Sequence, residues 1–213
     1  MLEARESSNK NNIPEMEPGL YLAICYLIAD IGEHENRMYN NTSRQIVMSW
    51  EFPDEMIELN GQRIPRTQSM FFTLSLSERA RLRSFLENWR GRAFTAEELA
   101  GFNVGKVLGA ACMLNMVEKA RADGSKHTVI GGVSKLPKGM TAPLPSMPRV
   151  LFDLDVPDAI TQMQELPEWI QNKIRESITY QQMINPQHEP EQVQRASDSD
   201  GFEELDSDAD VPF

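Results

Sequence analysis

The stretch "GLYLAICYLIADIG", from Gly19 to Gly32, constrains the fold more than any other part of the chain. It falls short of the ~18 apolar residues that a membrane helix requires. Its aliphatic and aromatic content, bounded by two glycines, reads as one long strand. Strict alternation then predicts Leu20, Leu22, Ile24, Tyr26 and Ile28 on one face. The polar "EHENRMYNNTS" that follows reads as a loop. "RQIVMSWEF" is a second strand, with Ile46, Met48, Trp50 and Phe52 on one face and Pro53 at its end. Asn60-Gly61 is a turn signal. "SMFFTLSLS" is a third strand, with Met70, Phe72, Leu74 and Leu76 on one face and Phe71, Thr73 and Ser75 on the other.

Helical patterning comes next. Ser77 is placed to cap "ERARLRSFLENW", whose Leu82, Phe85, Leu86 and Trp89 form one stripe, and Gly91 stops it. Thr95 and Glu98 form a capping box for a second, short helix ending at Gly101. Two more strands, "KVLGAACMLNMVEK" and "HTVIGGVSKL", flank a hairpin turn at Asp123-Gly124. Three strands, a helical insertion and two strands is the order of a five-stranded OB-fold barrel, in a chain that is mainly β.

Beyond Leu136 the texture changes. "PKGMTAPLPSMPRV" is a Pro-rich, extended connector. "LPEWIQNKIRESITYQQM" is a C-terminal amphipathic helix, with Trp169, Ile170, Ile174 and Ile178 on one face. The expected organisation is a flexible arm (1–17), an OB-fold nucleic-acid-binding domain (18–138), and a connector and helix packing on it (139–183). The polar remainder (184–213) reads as a disordered acidic tail.

Charge follows this division. The 213 residues carry a net −11, yet from Asn185 onward nine acids face one arginine, while residues 32–140 hold 15 basic and 12 acidic side chains. Cys25 and Cys112 lie in separate apolar runs and read as reduced, buried thiols in a cytoplasmic protein. The polar start "MLEARESSNKNN" shows no secretion signal. The chain has no phosphate-binding loop, dinucleotide fingerprint, nucleophile elbow or His-Glu-x-x-His pattern, so no enzyme, cofactor or metal is expected. Asp153, Asp155 and Asp158 lack the glycine and distal glutamate of a calcium loop and read as solvated turn acids.

The residues point instead to a polynucleotide. In an OB-fold the loops joining strands one to two and four to five frame the binding groove. The first supplies Arg37, Tyr39 and Arg44; the second supplies Lys119, Arg121, Lys126 and His127. Cations there neutralise phosphates and release counterions. Tyr39, Tyr21 and Phe71 are the candidate base-stacking rings, whereas Trp50, Trp89 and Trp169 lie on apolar stripes and read as core.

Two resemblances sharpen this reading. "DGFEELDSDADVPF" is similar to the C-terminal tip of bacterial single-stranded DNA-binding proteins, with Val211 where that tip most often has Ile. The resemblance implies that Phe213, with Val211 and Pro212, docks in a partner's apolar pocket while Asp206, Asp208 and Asp210 meet cations. The body, about Pro18 to Gln182, resembles a family of tailed-bacteriophage single-stranded DNA-binding replication proteins with OB-folds. "LSERARLRSFLENWRGRAFTAEELAGFNVGKVLG" is the most specific part of that match. It implies a non-catalytic, sequence-tolerant binder of single-stranded DNA in phage replication or recombination, acting in the host cytoplasm and recruiting replication or repair proteins. A single-strand annealing protein and a protein-interaction module without DNA binding are the alternatives, and the sequence leaves homo-oligomerisation open.

Overall fold

The structure, a computed structural model, describes residues 14–36, 41–59 and 61–185. Strand β1 (Gly19–Asn36) runs through the middle of the sheet. Its second half pairs with β2 (Asn41–Leu59), which pairs with β3 (Gln62–Thr73). Its first half pairs with β4 (Ala111–Ala120), which pairs with β5 (Lys126–Ser134). All four pairings are antiparallel and give a curled sheet in the order β3-β2-β1-β4-β5. A short sixth strand, β6 (Val150–Phe152), which the sequence reading places in the connector, runs parallel to β1 at Leu27–Ala29, on the edge that β4 leaves.

Among the described residues no ladder joins β3 to β5, so the sheet is a half-barrel. Helix α1 (Arg81–Arg90) packs against both of those strands. Its buried stripe is the expected Leu82, Phe85, Leu86 and Trp89, and Gly91 ends it in the left-handed region at φ 67°. The start differs: Ser77 closes a turn by accepting the Ala80 amide, and the helix begins at Arg81 with no side-chain cap. The short α2 (Ala96–Ala100) carries the predicted Thr95–Glu98 capping box, and the 3-10 turn Val104–Val107 takes in Lys106 and Val107, which were expected to open the fourth strand.

The sheet buries both faces. On the first, α1 covers Ala23, Cys25, Ile28, Ile46, Met48, Trp50, Phe52, Phe72, Cys112, Leu114, Met116 and Ile130. On the second, Leu27, Ala29, Ile31 and Val47 pack under Phe152, Leu154, Ala159, Met163, Leu166, Ile170 and Ile174. That cover is β6 with α3 (Ala159–Gln162), α4 (Glu168–Arg175) and α5 (Ile178–Ile184). The single expected C-terminal helix is thus two. Buried Ser177 divides them: its hydroxyl donates to the Ile174 carbonyl and accepts the Tyr180 amide. Ser177 sits against Gly32, whose φ of 82° and lack of a Cβ allow the approach; a Cβ there would lie 2.6 Å from the serine oxygen.

The predicted faces of β2 hold, but those of β1 do not. Cys25 pairs with Trp50 and Leu27 with Ser49, so Tyr26 is an extra residue in a β-bulge. One extra residue transfers every later side chain to the opposite face. Ala23 and Cys25 therefore share the first face with Ile28, while Leu27 and Ala29 take the second. Pro53 likewise does not end β2. It sits where the register slips between Phe52 and Met56, and the strand runs on to the turn at Gly61.

Candidate nucleic-acid interface

The β4–β5 hairpin is the part of the expected site that the structure assembles. Lys119 stands opposite His127 and Ala120 opposite Lys126. Arg121 and Ser125 close the turn with a 2.7 Å backbone bond, and Asp123 accepts from the Ser125 amide and hydroxyl. Those bonds hold the Asp123 carboxyl below the usual range. The hairpin is tied to the chain entering β1, because Thr128 donates to the Met16 carbonyl at 2.6 Å. Its cations are matched to acids: Lys126 to Glu118 at 2.6 Å and Arg121 to Glu15 at 3.5 Å.

Arg44 does not stand free at the mouth of the first loop. Its guanidinium binds Asp30, which also accepts the Gly32 amide, and reaches Asp155 at 2.8 Å. Asp30 and then Asp155 raise its already high pKa further. The residue expected to meet phosphate instead ties the β1–β2 pair to the loop after β6. Asp153 and Asp158 are spent in turns, on the Asp155 amide and the Gln162 side chain.

Two of the candidate rings are likewise engaged. Phe71 lies on the second face of the sheet, edge-on to Trp169 with ring centres 6.1 Å apart, under the C-terminal helices. The half-buried ring is engaged in packing on that side. Tyr21 meets Phe52 edge-on at 6.0 Å and donates its hydroxyl to the Glu17 carbonyl. Trp50 and Trp89 are core, as expected, and Trp169 packs on the second core. Arg37, Tyr39 and the tail residues Asp206, Asp208, Asp210, Val211, Pro212 and Phe213 lie outside the described residues.

The two loops sit at opposite ends of β1. Gly19 pairs with Met116, so the β4–β5 turn projects beyond the start of β1; Asn36 pairs with Asn41, so the β1–β2 loop lies at its finish. A flat strand of that length spans about 55 Å.

The outer surface of β2 and β3 is occupied beside that cover as well. Ser49 and Ser69 bond across the strands at 2.7 Å. Glu51, fully buried, accepts the Ser146 and Met147 amides of the Pro-rich connector, each at 2.8 Å. The connector is therefore clamped to the sheet, which its sequence does not announce.

The insertion between β3 and β4 holds a second set of cations and rings that sequence reading passes over. Arg90 lies 4.4 Å from the Phe94 ring centre and 5.1 Å from that of Phe102, while Lys106 lies 5.8 Å from Phe102. Glu98 is gripped by Arg92 and Arg90. The Arg92 bond, the Thr95 amide and Arg90 together depress its carboxyl to about 2. Among the described residues no group of His, Cys, Asp and Glu could hold a metal ion, and no helix is long and apolar enough to cross a membrane. No family model matches the chain, and no curated protein matches it.

Proposed function

We propose that this chain binds single-stranded DNA without sequence preference and performs no catalysis. The observation that carries the reading is the strand order, β3-β2-β1-β4-β5, with the helical insertion after the third strand. We read it as an OB-type barrel opened between β3 and β5 and bridged by α1. The resemblance of residues 18–182 to phage single-strand-binding proteins supports the same reading. The covered outer face of β2 and β3 narrows it. Binding then rests on phosphate contacts from loops and rim, with few stacked bases, which makes affinity electrostatic and salt-sensitive. The acidic tail, by its resemblance, recruits replication or repair proteins.

Titration of labelled oligo-dT with the full chain and with a chain lacking residues 206–213 tests both parts. The full chain should bind, and the shortened chain should bind equally or more tightly while losing its partners. Loss of DNA binding on shortening, in a chain that still folds, would contradict the tail assignment.

One observation favours a second reading. Arg44, Arg121 and Lys126 each face a carboxylate, and the sheet face is filled by the chain itself. Both features suit a protein-interaction module without DNA binding, which would leave oligo-dT unbound at any salt concentration.

A further inference from the structure

We infer that the phosphate backbone of the bound strand runs along a cationic tract made by Lys135, Lys106 and Arg149, rather than over the β4–β5 hairpin. This rests on the single-strand-binding reading above. The three residues come from three different parts of the chain, and a series of contacts joins them. The Lys135 side chain crosses Gly91 at the end of α1, 3.3 Å from where a Cβ would stand. The neighbouring Arg90 lies over the Phe102 ring, and Lys106 approaches the same ring. Beside Lys106, Gly105 receives Leu151, 3.1 Å from its Cβ position. Arg149, two residues before Leu151, lies across Gly109, where a Cβ would meet its Cδ at 2.9 Å and a φ of 79° excludes most side chains.

Lys106, Lys135 and Arg149 are exposed, and among the described residues none has a carboxylate partner. This separates them from Arg44, Arg121 and Lys126, which must give up an ion pair to meet phosphate. Beside Arg90, Glu98 is already held by two arginines, so that group keeps a net positive charge. Glu97 on α2 and Glu87 on α1 are further carboxylates of the insertion, and Glu87 already accepts from Arg83 and the Phe94 amide. A lysine at a helix C-terminus complements the helix dipole. That accounts for Lys135, and Lys106 lies near the end of a 3-10 turn and approaches the Phe102 ring; Arg149 has no such counterpart. Leu151, 54 % exposed between those two, offers apolar surface to a sugar or base.

The test is fluorescence anisotropy of labelled oligo-dT across a NaCl series. The variants are the triple Lys106→Gln, Lys135→Gln, Arg149→Gln and the hairpin double Arg121→Gln, Lys126→Gln, with folding checked by circular dichroism. The triple variant should bind about tenfold more weakly, or worse. Its slope of log affinity against log salt should become shallower by about 2, at roughly 0.7 for each phosphate no longer neutralised. The hairpin variant should stay within about twofold of the parent chain. Restoring position 149 as lysine in the triple should recover part of the affinity, which a purely packing role for that arginine would not produce.

A triple variant with parental affinity and slope would overturn the tract while leaving single-strand binding intact. The same variant binding more tightly than the parent, but only when residues 206–213 are present, would show that the tract holds the acidic tail, and would also overturn it. No binding by the parent chain would instead end the single-strand reading itself.

Discussion

A chain ending at Lys138 is expected to aggregate rather than to yield an isolated binding domain. The boundary at residue 138 follows the change in sequence texture, but the fold does not respect it. Leu27, Ile31 and Val47 of the sheet are buried by Phe152, Leu154, Met163, Leu166, Ile170 and Ile174 of the C-terminal cover. At ~1.5–3 kcal/mol for each fully buried large side chain, these nine contribute about 13–27 kcal/mol as an upper bound. A whole domain retains only ~5–15 kcal/mol of net stability. The truncated chain would also present an apolar sheet face to water, which promotes association. Size-exclusion chromatography and thermal unfolding would decide it. A monomeric, cooperatively melting chain of residues 14–138 would show that the cover is an accessory and that the sheet is self-sufficient.

Replacing Glu51 by alanine should loosen the Pro-rich connector at a cost of about 2–4 kcal/mol. The substitution removes a charged acceptor from two amides, and a hydrogen bond to a charged group contributes ~1.5–3 kcal/mol. Relief from burying a carboxylate offsets part of this. Glu51→Gln keeps one carbonyl acceptor and should lose roughly half as much. The readouts are the urea midpoint and the rate of tryptic cleavage after Lys138, which should rise in the alanine variant before global unfolding. Unchanged cleavage would mean that the prolines alone hold the connector. The same clamp presents Leu144 almost wholly to solvent, at 90 % exposure, so it fixes the path of a segment that has little packing of its own.

Local chemistry made much of this fold readable. Alternation along Ile46, Met48, Trp50 and Phe52, the stripe on α1, the Thr95–Glu98 box and the glycine turns at 61 and 124 each depend on residues close in sequence. The contributions of β2 and α1 to the first-face core followed from them. What sequence missed depends on register or on distant partners. The bulge at Tyr26 breaks a count of two that nothing in "ICYLIA" interrupts. Ser177 reads as an ordinary polar residue within a helical stripe until Gly32, 145 positions earlier, is brought beneath it. β6 has three residues and takes its pairing from β1, not from any pattern of its own.

The candidate site was legible in kind but not in place. The turn at Asp123–Gly124 was correctly located, although Lys119, Lys126 and His127 lie in the flanking strands. Sequence cannot show, however, that Asp30 and Asp155 hold Arg44, or that Trp169 covers Phe71. Lys106, Lys135 and Arg149 share no motif, and only the fold of the insertion and the connector links them through Gly91, Phe102, Leu151 and Gly109. The most useful signal was negative: a cation with a carboxylate on a neighbouring segment is a weaker candidate than a lone one. That distinction needs coordinates.

The most direct measurement of the central claim is the equilibrium affinity of the full chain for oligo-dT as NaCl is raised. A phosphate-tracking surface with three or more contacts predicts a linear fall in log affinity with log salt, of slope about −2 or steeper. A flat dependence, or no binding at low salt by a folded chain, would contradict it.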